Sequence, residues 1–82
     1  YKHNMKAKRL QNMMNKILNV PEPYNHFSKY FPASKIYGYD RHGTVRITEQ
    51  QLQTYNRAFE ELVTIGRIEE VGIGYCAYRL KQ

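Results

Sequence analysis

Gly66, with the pattern on either side of it, constrains this chain more than any other feature. Upstream, Leu52, Tyr55, Phe59, Leu62 and Val63 recur at helical spacing and form one apolar stripe. Thr48 stands ahead of them with Gln51 three residues on. That is the spacing of a capping box, in which each side chain serves the other residue's backbone N–H. Downstream, residues 67–71 and 75–80 read as two strands around a tight Gly72-Ile73-Gly74 tip. Gly66 supplies the left-handed residue that stops a helix. The last third is therefore predicted to be one amphipathic helix running into a β-hairpin, with the helix's polar face beside the hairpin tip.

The front half is predicted to begin with a helix over 4–19. Ala7, Leu10, Met14, Ile17 and Leu18, with Met13 beside them, make its apolar stripe, and Lys6, Lys8, Arg9, Asn12, Asn15 and Lys16 occupy the remaining surface. Asn19 and the run Pro21-Glu22-Pro23 end it, because proline cannot continue the hydrogen-bond ladder. Tyr24, Phe27 and Phe31, with Tyr30 alongside, fit a short second helix over 24–31 closed by Pro32, its aromatics contributing to the core. Beyond it, Val45 and Ile47 alternate with Thr44 and Arg46, which predicts a strand over 44–47. The turn Asp40-Arg41-His42-Gly43 precedes that strand, and residues 35–39 are its candidate partner.

Eighty-two residues make one domain, 1–82, with a small core. An apolar content of 41%, with 13% aromatic residues, argues against disorder. The elements together predict an α+β fold of about three helices and a small antiparallel sheet. Cys76 is the single cysteine, so an internal disulfide is excluded, and with no partner cysteine it cannot seed a four-ligand zinc site by itself. In the middle of an apolar strand it reads as buried packing. A reduced, cytoplasmic compartment is expected, nucleoid-associated or nuclear according to the source. No apolar run approaches a membrane span and no signal-peptide pattern opens the chain. The opening Tyr1 leaves two readings, a domain cut from something longer or a native start at Met5 behind a short leader.

The net charge of +6 is one-sided. Residues 1–47 carry nine Lys and Arg against Glu22 and Asp40, whereas residues 48–82 carry four against five glutamates. Such a field favours a polyanionic partner and speeds association with it.

Catalytic chemistry finds little support. Paired-carboxylate catalysis needs two acids in one site, and the front half has only Glu22 and Asp40. His3, His26, His42 and Cys76 lack metal-ligand spacing. Eight tyrosines would suit a tyrosine-nucleophile nickase, but no paired-histidine metal motif accompanies them. No phosphate-cradling glycine loop is present either. We expect no enzyme, no metal and no cofactor.

The run Phe59-Glu60-Glu61-Leu62-Val63-Thr64-Ile65-Gly66-Arg67-Ile68-Glu69-Glu70-Val71, with Gly72 and the strand that follows, resembles the end of winged helix-turn-helix domains. The resemblance covers about 35 residues and rests on a glycine that turns the chain and an isoleucine that plugs the gap between helix and sheet. The family places two helices between its first strand and its wing. A first strand at 44–47 leaves room for one, so two arrangements stay open. Either the short 24–31 helix is the middle helix with a strand inserted after it, or another α+β fold ends in a similar hairpin.

What the resemblance implies is non-catalytic binding of double-stranded DNA, as part of a transcription regulator or a replication or plasmid-maintenance protein. The final helix would then offer the face opposite its apolar stripe, holding Gln50, Gln53, Thr54, Arg57, Glu61 and Thr64. Gln50, Gln53, Thr54 and Arg57 are the candidate base readers, since glutamine pairs bidentately with adenine and arginine with guanine. Glu61 would repel phosphate, so the first half of the helix is the part expected to enter a groove. Lys35, Arg41, His42 and Arg46 are the candidate phosphate contacts, beside the partial positive charge of the helix start. The first helix's cations read as backbone contacts or, slightly better, as a solvated surface. The tip carries no cation, and Glu69 and Glu70 count against phosphate there. The alternative is a protein-binding adaptor on the same fold, whose cationic half addresses an acidic protein surface.

Overall fold

Three helices are followed by a two-stranded antiparallel hairpin, an α+β arrangement, in a computed structural model that describes residues 2–72, 74 and 76–81. Helix α1 spans Lys2–Leu18. Met13, Met14 and Ile17 are buried on its inner face, Leu10 and Leu18 pack partly against them, and Ala7 is exposed. Buried Pro21 follows where the ladder cannot continue.

Helix α2 spans Phe31–Tyr37, not the expected 24–31. Pro32 opens it instead of closing it. At the first helical turn proline's missing N–H costs nothing, and its fixed φ is already helical. Tyr24 is therefore outside the core, 83% exposed, and Tyr30 and Phe31 lie at the surface as well. Phe27 alone of the four aromatics is buried there, and its backbone is extended against the hairpin: Phe27 and Tyr78 form an antiparallel bridge.

Residues 35–39 do not form a strand, since 35–37 complete α2. What survives of the expected pairing is one bridge, Tyr39 with Val45, flanked by hydrogen bonds from Asp40 N to Thr44 O at 2.8 Å and from Arg46 N to Gly38 O at 2.8 Å. Asp40 closes this small loop by accepting at one carboxylate oxygen from the amides of His42 (2.8 Å) and Thr44 (3.0 Å), an Asx-type turn. Gly43 has φ +79, the left-handed value that the turn requires.

Helix α3 spans Glu49–Thr64 and begins with the expected capping box. Thr48 Oγ1 accepts from Gln51 N at 3.1 Å, and Gln51 Oε1 accepts from Thr48 N at 2.9 Å. Its C-terminus is a Schellman motif: Gly66 N donates to Val63 O at 3.1 Å and Arg67 N to Leu62 O at 2.9 Å, with Gly66 at φ +79. Tyr55, Ala58, Phe59 and Leu62 are buried, while Leu52 and Val63 are half-buried at the margins of the stripe.

Strands β1 (Ile68–Glu70) and β2 (Tyr78–Leu80) pair with Ile68 opposite Leu80, Glu69 opposite Arg79 and Glu70 opposite Tyr78. Val71 N donates to Ala77 O at 2.7 Å, so the connection is residues 72–76, longer than the three-residue tip expected from the glycines. Ile73 and Tyr75, which that expectation included, lie outside the described residues. Cys76 is exposed, contrary to its reading as core packing, because the second strand starts two residues after it.

The core joins all these elements. Phe59 meets Tyr78 edge-on at 4.8 Å between ring centroids and Phe27 at 6.5 Å, and Tyr55 stacks between Phe59 (6.1 Å) and Tyr30 (5.9 Å). Ile17 and Ile68 close it from α1 and β1. Fully burying an aliphatic or aromatic side chain of this size contributes about 1.5–3 kcal/mol. The Tyr55 hydroxyl donates to the Lys29 carbonyl, so its polar end is satisfied inside. Burial raises the pKa of that phenol well above the ordinary tyrosine range, and that of Tyr37 rises for the same reason.

Candidate nucleic-acid interface

The polar side of α3 is bare along much of its length. Gln50, Gln53, Arg57, Glu61 and Thr64 are exposed, and Thr54 is half-buried. This follows from the 3.6-residue period: once Tyr55, Ala58, Phe59 and Leu62 turn inward, these positions have nowhere else to point. Thr54 differs from its neighbours because its hydroxyl donates back to Gln50 O at 3.2 Å, engaging its one donor within the helix. Gln51 is likewise engaged, in the capping box.

The flank does not stand alone. Helix α1 packs along α3, and two concavities open along their seam. One runs beside Gln53, Arg57 and Glu60, the other beside Thr48 and Gln51, and both are bordered by Gln50, Thr54 and Arg9. Asn12 and Lys16 extend the α1 wall of the second. Arg9, Asn12 and Lys16 sit three and seven residues apart, hence on one stripe of α1, and all three are exposed. Among the described residues the one ion pair is Glu69 with Arg79, so Arg9, Lys16 and Arg57 stand without a carboxylate partner there. Glu60 and Glu61 border the far end of the seam and make it acidic.

Lys35, Arg41, His42 and Arg46 are all exposed, and none of them borders either concavity. Lys35 lies in the last turn of α2, with its ammonium 5.6 Å from the centroid of the Phe31 ring, a cation–π contact. Arg41 Nε donates to His42 Nε2 at 3.3 Å, both in the Asp40–Thr44 loop. The cations that do accompany the α3 flank come from α1. Their signal in the sequence was the i, i+3, i+7 repeat of Arg9, Asn12 and Lys16 next to buried Met13. It marks a polar face but leaves open which helix that face adjoins.

The hairpin is electrically muted by its own register. Arg79 is paired to Glu69 directly across the two strands, and exposed Glu70 follows. Among the described residues no three histidine, cysteine or carboxylate side chains converge as a metal site, and no helix is long and apolar enough to cross a membrane.

No family model, no curated protein and no solved structure matches this chain. The site is defined by its own geometry: a bare amide-and-arginine helix flank walled on one side by unpaired cations.

Proposed function

We propose that this chain is a non-catalytic, winged-helix-like DNA-binding domain, of the kind that serves a transcription regulator or a replication or plasmid-maintenance protein. The observation that carries the reading is the exposed set Gln50, Gln53 and Arg57 on α3, facing unpaired Arg9 and Lys16 across the seam. Amide and guanidinium side chains are the groups that read base edges, and exposed unpaired cations are those that meet phosphate. Lys35, Arg41, His42 and Arg46 are exposed outside the seam and supply further phosphate contacts in this reading.

Chain order supports the family resemblance. The extended backbone at Phe27 bonds to Tyr78 of the hairpin, and two helices, α2 and α3, lie between that contact and the hairpin. With Phe27 as the first extended segment, in place of 44–47, the order is that of a winged helix. The small 38–46 loop is then an insertion between the middle helix and the reading helix.

The test is a fluorescence-anisotropy titration with mixed-sequence duplex at two salt concentrations. Phosphate contact gives a log-affinity slope against log salt of about −0.9 per phosphate neutralised. A chain that fails to bind duplex even at low salt, yet is captured by an acidic protein surface, is the adaptor instead.

A further inference from the structure

We infer that one strand's phosphodiester backbone lies along the α1 wall of the α1–α3 seam, held by Arg9 and Lys16, with the α3 wall facing its bases. This rests on the DNA-binding reading above and adds to it the side chains that seat the strand.

Both residues are exposed, both border a concavity that Gln50 and Thr54 border from the other side, and neither has a carboxylate partner among the described residues. A guanidinium and an ammonium left unpaired in one groove match a row of anions. They are seven residues apart, which at 1.5 Å rise per residue is about 10.5 Å along the helix. Phosphates of one DNA strand advance about 3.4 Å per step along the duplex axis and, because they wind round it, lie farther apart than that along the strand itself. The two cations therefore reach separate phosphates of one strand, and Asn12 between them is placed to donate to the intervening sugar-phosphate. The opposite wall presents Gln50 and Gln53, whose amides suit base edges and not phosphate charge. The direction is limited by Glu60 and Glu61 at the far end of the seam, where a phosphate row meets carboxylates and must leave. The strand accordingly enters at the Lys16 end and departs near Arg57.

The experiment uses the full chain and a mixed-sequence duplex, with affinity measured by anisotropy across a series of salt concentrations. For the double variant Arg9→Gln/Lys16→Gln, the slope of log affinity against log salt becomes shallower by about 1.8, two phosphates at about 0.9 each. Because both side chains are exposed, the thermal melting of the variant stays with the parent, which separates lost contacts from lost folding. Lys8→Gln, exposed on α1 about 100° round from Arg9, leaves the slope with the parent. A double variant that keeps the parent slope overturns the inference while leaving DNA binding intact. So does a Lys8→Gln variant that loses as much per cation, since that reports diffuse charge and not a seated strand. A parent chain with no affinity for duplex removes the DNA reading itself.

Discussion

Phe27 and Tyr78 exchange two backbone hydrogen bonds, Phe27 N to Tyr78 O at 2.8 Å and Tyr78 N to Phe27 O at 3.1 Å. They are fifty-one positions apart in the chain, and their contact helps set how the hairpin sits on the helices. It fixes β2 against the segment between α1 and α2, and brings the Tyr78 ring edge-on to Phe59 at 4.8 Å. Without it the hairpin would be tied to the body mainly through Ile68 and the turn at Gly66.

Phe59 is the residue on which that contact rests. Its side chain is 1% exposed and its ring meets those of Phe27, Tyr55 and Tyr78. Phe59→Ala leaves a cavity among three aromatic rings and is expected to cost about 3–5 kcal/mol. In a domain this small that is a large share of the stability. Urea unfolding followed by circular dichroism measures it, and a variant with the parent's midpoint would show that the aromatic cluster is not the keystone.

Tyr55 gives a pH dependence of known sign. Burial raises its folded-state pKa above the unfolded value of about 10, so the folded form holds the proton more tightly. Its contribution is fully present below pH about 10. Above that, the unfolded chain releases the proton first, and stability falls by about 1.4 kcal/mol per pH unit. Tyr55→Phe removes this share of the alkaline dependence, leaving that of Tyr37, at the cost of the hydrogen bond to Lys29 O. Urea midpoints from pH 9 to 11 compare the two proteins, and identical slopes above pH 10 would refute the assignment.

Arg57 tests the reading role of α3. It is exposed, so Arg57→Ala should melt with the parent, yet cost about 1–3 kcal/mol on a duplex selected from random sequence for tight binding. The loss should be concentrated at one base position. Unchanged affinity on the selected duplex would take this helix out of the interface.

Local chemistry alone was enough for α1, α3, the capping box at Thr48 and Gln51, and the glycine stop at Gly66, because each depends on residues within a turn or two of one another. The same local reasoning misplaced α2. Pro32 reads equally well as the end of one helix or the first turn of the next, and only the capture of Phe27 by the hairpin excludes the former. It also buried Cys76 and shortened the hairpin connection, since strand register is set by the partner strand and by packing against Phe59, neither of which is local.

The candidate site divides the same way. That Gln50, Gln53 and Arg57 share a face follows from helical period alone, and their exposure follows once the opposite stripe is apolar. That the cations beside them are Arg9 and Lys16, and not those of the 40–46 loop, required the packing of α1 along α3. Residues four apart on a helix meet because the backbone places them there. Residues forty apart meet only because burying Ile17, Tyr55 and Leu62 together lowers the free energy of the whole chain.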